Sequence, residues 1–216
     1  MQDDSNYQAL AQILRQRRTT KAMADAPWPP SDPAPAAIEK ILAAATEAPF
    51  HKPAARENRS GALAGIQPWR CYVLDSENCR KLRQLLIEQG DNTKIPQMLA
   101  VADYLIQVTW LPNPAAEPSD ALFEPSIQNM EHIAAASAAI QNMLLAATTL
   151  EFPNYWSSGG ALRSAETFSL LGIPPTEILL GSLFLFPQDL ADATTKAGGL
   201  RHSRSPHQDW ARYVTL

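Results

Sequence analysis

Apolar residues recur three and four positions apart in four segments of the chain, and this spacing predicts four helices. The segments are residues 6–17, 33–48, 77–89 and about 126–150. Asp32 has the side chain of an N-cap for the second helix, with Pro33 at its first position, and Pro49 ends it. The last helix has small side chains on every face, so a second helix of the same chain or of a partner subunit fits closely against it.

Three shorter apolar runs predict strands over residues 69–75, 103–111 and 178–186. The run over 103–111 is nearly continuous, which indicates a central, buried strand. Residues 205–216 end in a short strand-like pattern. Strands separated by long helices and loops predict an α+β fold in a single domain, residues 1–216.

Two segments follow neither pattern. Residues 26–36 are proline-rich and are predicted to cross the molecule without regular structure. Residues 50–66 are predicted to form a long loop, of the kind that serves as a functional lid or is simply mobile.

Charge and composition narrow the function classes. The 216 residues carry a net charge of −4, whereas nucleic-acid binders are usually basic, so no nucleic-acid partner is expected. Cys71 and Cys79 make neither a disulfide framework nor a CxxC site, which favours a reduced, cytoplasmic setting. The acidic, polar N-terminus is unlike a signal peptide. The longest apolar stretch contains Gln141 and Asn142, so no membrane span is expected.

Most common catalytic motifs are missing from the sequence. There is no GxGxxG fingerprint after a strand, no P-loop and no GxSxG elbow. None of the four histidines lies in an HExxH motif or beside a CxxC motif, so no metal site is predicted. The hydroxyls of WSSGG at 156–160 would need a histidine and an acid, brought near by the fold, to act in hydrolysis.

Residues 15–23, RQRRTTKAM, concentrate positive charge at a predicted helix end. Cations and hydroxyls there can converge on one phosphate, and each charge-assisted hydrogen bond is worth about 1.5–3 kcal/mol. A DNA-binding surface would use about 6–10 phosphate contacts, so a small anionic ligand fits better than a polymer. The alternative is a solvated basic segment that stabilises the negative end of the helix dipole.

Several motifs, taken in order, resemble those of the FMN-dependent nitroreductase family, in its compact bacterial branch. They are RRTTKAM (17–23), AAATEAPFHKP (43–53), QPWRCYVL (67–74), WSSGGAL (156–162), ILLGSLFLF (178–186) and RHSRSP (201–206). The resemblance spans nearly the whole chain. It implies a nitroreductase-like fold, in which a central, mostly antiparallel sheet is flanked by helices. It also implies a homodimer with a long central helix at the interface, where FMN binds between the two subunits.

The resemblance also implies contacts between the basic segment and FMN. Arg17 and Arg18 would meet the phosphate or the ribityl chain, and Thr19 stands where the family usually has serine. Lys21 would approach the pyrimidine side of the flavin ring, where a cation stabilises the charge of the reduced ring. Arg204 matches a C-terminal cation that returns to the phosphate, or serves only the surface.

Two further segments carry implied flavin contacts. His51 matches a flavin-contact position, with an ordinary loop histidine as the alternative. Trp156, Ser157 and Ser158, followed by Gly159, match the segment that lies along the flavin from beneath, with core packing as the alternative for Trp156.

The chain departs from the family pattern at residues 53–66, an insertion that indicates an altered roof over the active site. Gly65 and Ile66 stand where the family often places asparagine before Gln-Pro-Trp, and Gly160 shifts the register of WSSGGAL by one.

The activity that the resemblance implies is a ping-pong oxidoreduction. NAD(P)H would give a hydride to FMN and leave, and a nitroaromatic- or quinone-like acceptor would then take its place. No catalytic side chain is assigned, because the flavin carries the chemistry. The alternatives are a flavin-binding or flavin-sequestering module without efficient turnover, and an unrelated binder of a phosphate ligand.

Overall fold

The computed structural model describes residues 4–30, 35–115 and 121–216 of the chain. Its helices are α1 (Ser5–Gln16), α2 (Pro35–Thr46), α3 (Ser76–Glu88), α4 (Ile95–Leu99), α5 (Ile127–Thr149) and α6 (Ala165–Leu171). Its strands are β1 (Thr20–Met23), β2 (Trp69–Asp75), β3 (Tyr104–Trp110), β4 (Asn154–Ser157), β5 (Ile178–Leu185) and β6 (Thr194–Ala197).

The strands form two antiparallel sheets. The larger has the order β2-β3-β5-β4, and every residue of β3 is buried, because β3 lies between two neighbours and under helices on both faces. The smaller sheet pairs β1 with β6. The result is an α+β fold with antiparallel sheets flanked by helices, which confirms the predicted fold class.

The two faces of the larger sheet bury separate hydrophobic clusters. Ile106 and Val108 of β3 pack in one cluster with α2 and α5, whereas Leu105 packs in the other with α3, α4 and β1. This alternation follows from the two-residue period of a strand. The small side chains of α5 pack mainly against α2, and α1 also contacts α5.

Side chains at the helix ends explain why α3, α5 and α6 begin where they do. Asp75, Ser126 and Ser164 each accept a hydrogen bond from a backbone N–H in the first turn of the following helix. Such caps satisfy donors that have no partner inside the helix, and each contributes about 1 kcal/mol. Gly172 ends α6 in the left-handed conformation that favours glycine.

The four predicted helices and three predicted strands are confirmed, with boundaries shifted by a few residues. The prediction of a strand-like end over residues 205–216 is wrong, since only a short 3-10 turn at His207–Asp209 is regular there. The short elements β1, β4, β6, α4 and α6 were not predicted, because segments this brief show too little periodicity. The predicted cap at Asp32 and Pro33 lies outside the described residues.

The insertion at residues 53–66 is anchored to the sheet through Arg70 of β2, which is only 6% exposed. The Arg70 guanidinium donates to the carbonyl oxygens of Asn58 at 2.8 Å and Gly65 at 3.0 Å. The loop also contains a 3-10 turn at Arg56–Asn58, which is its one piece of regular structure in the described chain. These two hydrogen bonds fix the insertion to β2 at Asn58 and Gly65, so it is held more firmly than a mobile lid.

Trp156 of β4 packs across the backbone of Gly181 in β5. A Cβ atom added at Gly181 would lie 1.9 Å from the indole Nε1 of Trp156, so only glycine leaves room for the ring. Trp156 is partly buried and joins the cluster on the α5 side of the sheet.

We predict that Gly181→Ala lowers the free energy of unfolding by about 1–3 kcal/mol, the usual cost of forcing an extra methyl group into a packed site. Urea denaturation measures the change. Gly199→Ala is the matched control, because a Cβ atom there meets nothing within 4 Å, and it should shift stability by less than about 0.5 kcal/mol. Equal midpoints for Gly181→Ala and wild type would contradict the packing of Trp156 on β5.

Candidate functional site

Three arginines from the two ends of the chain form the centre of the candidate site. Arg17 is the C-cap residue of α1, and Arg201 and Arg204 belong to the loop after β6. Burial lowers the pKa of the Arg17 guanidinium, and the nearby positive charges of Arg204 and Arg201 lower it further. In the part of the chain that the structure describes, none of the three makes an ion pair with a carboxylate.

Arg201 fixes the C-terminal loop to the end of α1. Its guanidinium donates to the carbonyl oxygen of Arg17 at 3.0 Å and to that of Arg15 at 2.6 Å. The last carbonyls of a helix have no intrahelical donor, so a cation there satisfies them and interacts favourably with the helix dipole. This cluster of Arg17, Arg201 and Arg204 is called the arginine cluster below.

Thr19 lies where three segments meet. It forms an isolated bridge with Asn154 at the start of β4, and its carbonyl oxygen accepts a hydrogen bond from the N–H of Gly198 at 3.1 Å. A Cβ atom at Gly198 would come within 3.0 Å of the Thr19 side chain, so the loop after β6 lies close against Thr19. Arg18, the neighbour of Thr19, is exposed.

Lys21 extends the positive region along β1. Its ammonium group lies 4.5 Å from the centre of the Tyr155 ring in β4, within the range of a cation–π interaction. Lys21 stands directly opposite Lys196 in the antiparallel register of β1 and β6. The predicted residues at 17–21 are therefore brought against β4, which carries the predicted Trp156 and Ser157.

The turn after β4 is shaped by two hydrogen bonds and one glycine. The Ser157 hydroxyl accepts from the Gly159 N–H at 3.2 Å, and Arg163 donates through Nε to the Ser158 carbonyl oxygen. Gly159 has φ +108°, and a Cβ atom there would lie 2.7 Å from a methyl group of Leu179. The positive φ and the lack of space for a Cβ atom both require glycine at this position. The neighbouring Ser158 is exposed and can contact a ligand.

Within one chain, His51 lies outside the region formed by β1, β4 and the loop after β6. It is 80% exposed, and its Nδ1 is 3.8 Å from a carboxylate oxygen of Glu131 on α5. Among the described residues, no hydrogen bond or ion pair connects His51 with the arginine cluster or with β4. One chain therefore places eight of the ten predicted residues around β1, β4 and the loop after β6. Trp156 packs in the hydrophobic cluster on the α5 side of the sheet, as its core-packing alternative expects, and His51 lies apart.

The structure also shows residues that the sequence analysis missed. Arg201 stands within the quoted motif RHSRSP, three positions before Arg204, so proximity to a predicted cation was the available signal. The position of Lys196 opposite Lys21 follows only from the pairing of β6 with β1. Arg163 supports the Ser158 turn and also donates to the Leu179 carbonyl oxygen. Its position just after WSSGGAL was the one indication of this role in the sequence.

A cavity of about 710 Å³ adjoins the turn after β4, since Arg163 and Leu179 both line it and both lie against that turn. It is lined by apolar residues of α6 and the segment leading into β5, together with Arg163 and Glu177, and by none of the predicted site residues. Within the described ranges, no helix is long and apolar enough to cross a membrane. The same ranges contain no group of His, Cys, Asp and Glu side chains arranged to hold a metal ion.

Known structures share the fold of this chain. In fold, the chain matches a nitroreductase-like protein from Bacillus cereus with a TM-score of 0.63 at 21% identity, over 95% of each chain. A protein from Desulfovibrio desulfuricans, described as a nitroreductase and crystallised with FMN, matches with a TM-score of 0.57 at 22% identity, over 96% of this chain and 97% of that one. A nitroreductase from Desulfitobacterium hafniense with bound FMN matches with a TM-score of 0.54 at 18% identity, over 100% of both chains.

A search of curated protein sequences gave no match. The sequence model of the nitroreductase family, in contrast, matches residues 14–185, which include β1, all four strands of the larger sheet and the long helix α5. Because that match covers most of the chain, the protein belongs to the nitroreductase family.

Proposed function

We propose that the protein is an FMN-dependent oxidoreductase that takes electrons from NADH or NADPH and reduces nitroaromatic- or quinone-like acceptors in a ping-pong cycle. The observation that carries this proposal is the arginine cluster, in which Arg201 donates to the Arg17 carbonyl oxygen and the charges of Arg201 and Arg204 lower the pKa of Arg17, with no ion pair to a carboxylate in the described chain. Membership of the nitroreductase family and the fold shared with FMN-bound proteins support it.

The chemistry of the donor groups in the arginine cluster fits a phosphate. Guanidinium groups present several N–H donors in a planar fork that matches phosphate oxygens. Like charges held close together repel, and a bound phosphate would remove that repulsion. The Thr19 hydroxyl and the exposed Arg18, both next to the cluster, can add further donors.

Lys21 is the residue that would act on the flavin ring. When bound, FMN supplies the chemistry of accepting a hydride from one substrate and passing electrons to the next. The Tyr155 ring holds the Lys21 ammonium beside β4, near the Ser157–Gly159 turn. A fixed cation at this point would stabilise negative charge on a reduced ring, and the exposed Ser158 would border it.

A homodimer would complete the site. His51 lies apart from the other predicted residues within one chain, and a partner subunit could bring it to the flavin. On α5, Ala134 and Gln141 are exposed beside the half-buried Ser137 and Ala138, and these small side chains would let a second protein surface approach closely. We further propose that residues 1–216 form one FMN-binding domain and that, with two free cysteines, it works in the reducing cytoplasm.

A flavin-binding module without efficient turnover is the second candidate. The anchoring of the 53–66 insertion by Arg70 of β2 favours it if the partner subunit brings this loop over the flavin, because a loop held at Asn58 and Gly65 would not readily open there. The two candidates share the cofactor and differ in whether a reductant reaches it.

We predict that the protein binds FMN and that Arg17→Ala raises the dissociation constant roughly 10- to 100-fold, the effect of losing a charge-assisted hydrogen bond to phosphate. Quenching of flavin fluorescence during titration measures it. Arg56→Ala, which removes an exposed arginine of the insertion, is the matched control and should bind FMN like wild type. Unchanged affinity in Arg17→Ala would remove Arg17 from the site, and wild type that fails to bind FMN would refute the proposal.

Arg201 is expected to act as a positioning residue for the arginine cluster. Arg201→Ala should weaken FMN about three- to tenfold through loss of its two bonds to the Arg15 and Arg17 carbonyls. Arg201→Lys should recover part of the loss, since it keeps the charge with a single-point donor. Riboflavin, which lacks the phosphate, is the control ligand. An equal loss for riboflavin would show general destabilisation instead.

Anaerobic addition of NADH or NADPH to the FMN-loaded protein should bleach the flavin absorbance, and a nitroaromatic or quinone should then restore it. A ping-pong cycle requires both halves to proceed separately. Dithionite serves as the control reductant, because it is small and needs no binding site. Bleaching by dithionite but by neither dinucleotide would identify the protein as a flavin-binding module.

A further inference from the structure

We propose that a small polar cavity at the far end of the β1–β6 sheet binds a phosphate of the dinucleotide reductant through Lys94 and Lys196. The cavity has a volume of about 230 Å³, enough for a phosphate group but too small for the whole dinucleotide. Its lining includes Met23, Asp25, Lys94, Gln97, Thr194 and Lys196. This inference rests on the proposed function and gives the reductant a location.

The charges around the cavity favour an anion. Neither Lys94 nor Lys196 forms an ion pair with any carboxylate of the described residues. The carboxylate of Asp25 is already engaged, since its Oδ1 accepts a hydrogen bond from Gln97 Nε2 at 2.9 Å. Two lysines and one aspartate therefore line the cavity, which leaves a net positive charge, and the Thr194 hydroxyl can add a hydrogen bond to a phosphate oxygen.

The register of the small sheet gives a second argument. Lys196 stands directly opposite Lys21, and like charges in that position destabilise an antiparallel pair. Lys21 relieves part of the repulsion by placing its ammonium over the Tyr155 ring. Lys196 has no such partner and borders the cavity instead, so a bound anion would offset the remaining repulsion.

The part of the cavity lined by Met23 and Thr194 lies apart from the arginine cluster. Met23 is four residues beyond Thr19, and a strand rises about 3.4 Å per residue, so roughly 14 Å of strand separates the two positions, whereas Lys196 lies at the level of Lys21. Lys21, the residue proposed to face the flavin ring, lies between Thr19 and Met23. A dinucleotide whose nicotinamide lies on that ring carries its diphosphate one ribose away, which suits the distance of two residues from Lys21 to Met23.

The test compares flavin reduction in the FMN-loaded wild type with that in the double variant Lys94→Ala/Lys196→Ala, by anaerobic stopped flow with NADH and with NADPH. We expect the dinucleotide concentration for half-maximal rate to rise about tenfold, from loss of charge-assisted hydrogen bonds, with the limiting rate unchanged. Lys81→Ala on α3, which removes an exposed lysine paired with Glu77, is the control for overall charge and should behave like wild type. A larger rise for NADPH would identify the 2′-phosphate as the bound group, and an equal rise would identify the diphosphate.

A binding measurement without turnover supplies an independent readout. Calorimetry with ADP, which carries the diphosphate, or with adenosine 2′,5′-bisphosphate, which carries the 2′-phosphate, should detect binding to the FMN-loaded wild type that the double variant loses. Unchanged half-saturation and unchanged ADP binding in the double variant would overturn the phosphate site. A parallel loss of FMN affinity would overturn it too, because the lysines would then belong to the flavin site. Wild type whose flavin neither dinucleotide bleaches would contradict the proposed function itself, and with it the identity of this ligand.

Discussion

The candidate site depends on the pairing of β1 with β6, which joins the two ends of the chain. That pairing brings the loop after β6 to the end of α1, where Arg201 donates to the carbonyl oxygens of Arg15 and Arg17. These carbonyls end a helix and need donors from elsewhere. Without the small sheet, Arg17 and Arg204 would lie on unconnected segments, and Thr19 would lose its contact with Gly198. One short antiparallel pairing therefore builds the positive region from sequence-distant parts.

The same arrangement concentrates positive charge at a cost to the folded state. Arg17, Arg201 and Arg204 lie together, Lys21 faces Lys196, and the chain as a whole carries a net charge of −4. Local compensation is incomplete, since carbonyl oxygens and the Tyr155 ring are weaker partners than carboxylates. A ligand that binds only the native state stabilises it, so an anion at these positions would offset the repulsion. This reasoning connects the charge pattern to ligand binding through stability as well as through geometry.

The insertion at residues 53–66 has a structural role that its loop character did not predict. Arg70 is a buried residue of β2, and its guanidinium donates to backbone carbonyls of the insertion, such as those of Asn58 and Gly65. A single arginine with several donors satisfies these carbonyls together. The loop is therefore anchored, and its effect on substrate access would come from where it is held.

The sequence by itself determined the long elements and the positively charged segment. Residues 69–75 and 178–186 are long apolar runs that are strands in the structure, and the family motifs named Arg17, Thr19 and Lys21. Only the tertiary structure decided the partners of those residues. β1 and β6 have four residues each and lie far apart in sequence, so neither shows a pattern of its own and their register depends on the surrounding fold. The roles of Arg201 and Lys196 follow from that register, because a side chain's electrostatic surroundings are fixed by residues that are near in space and distant along the chain.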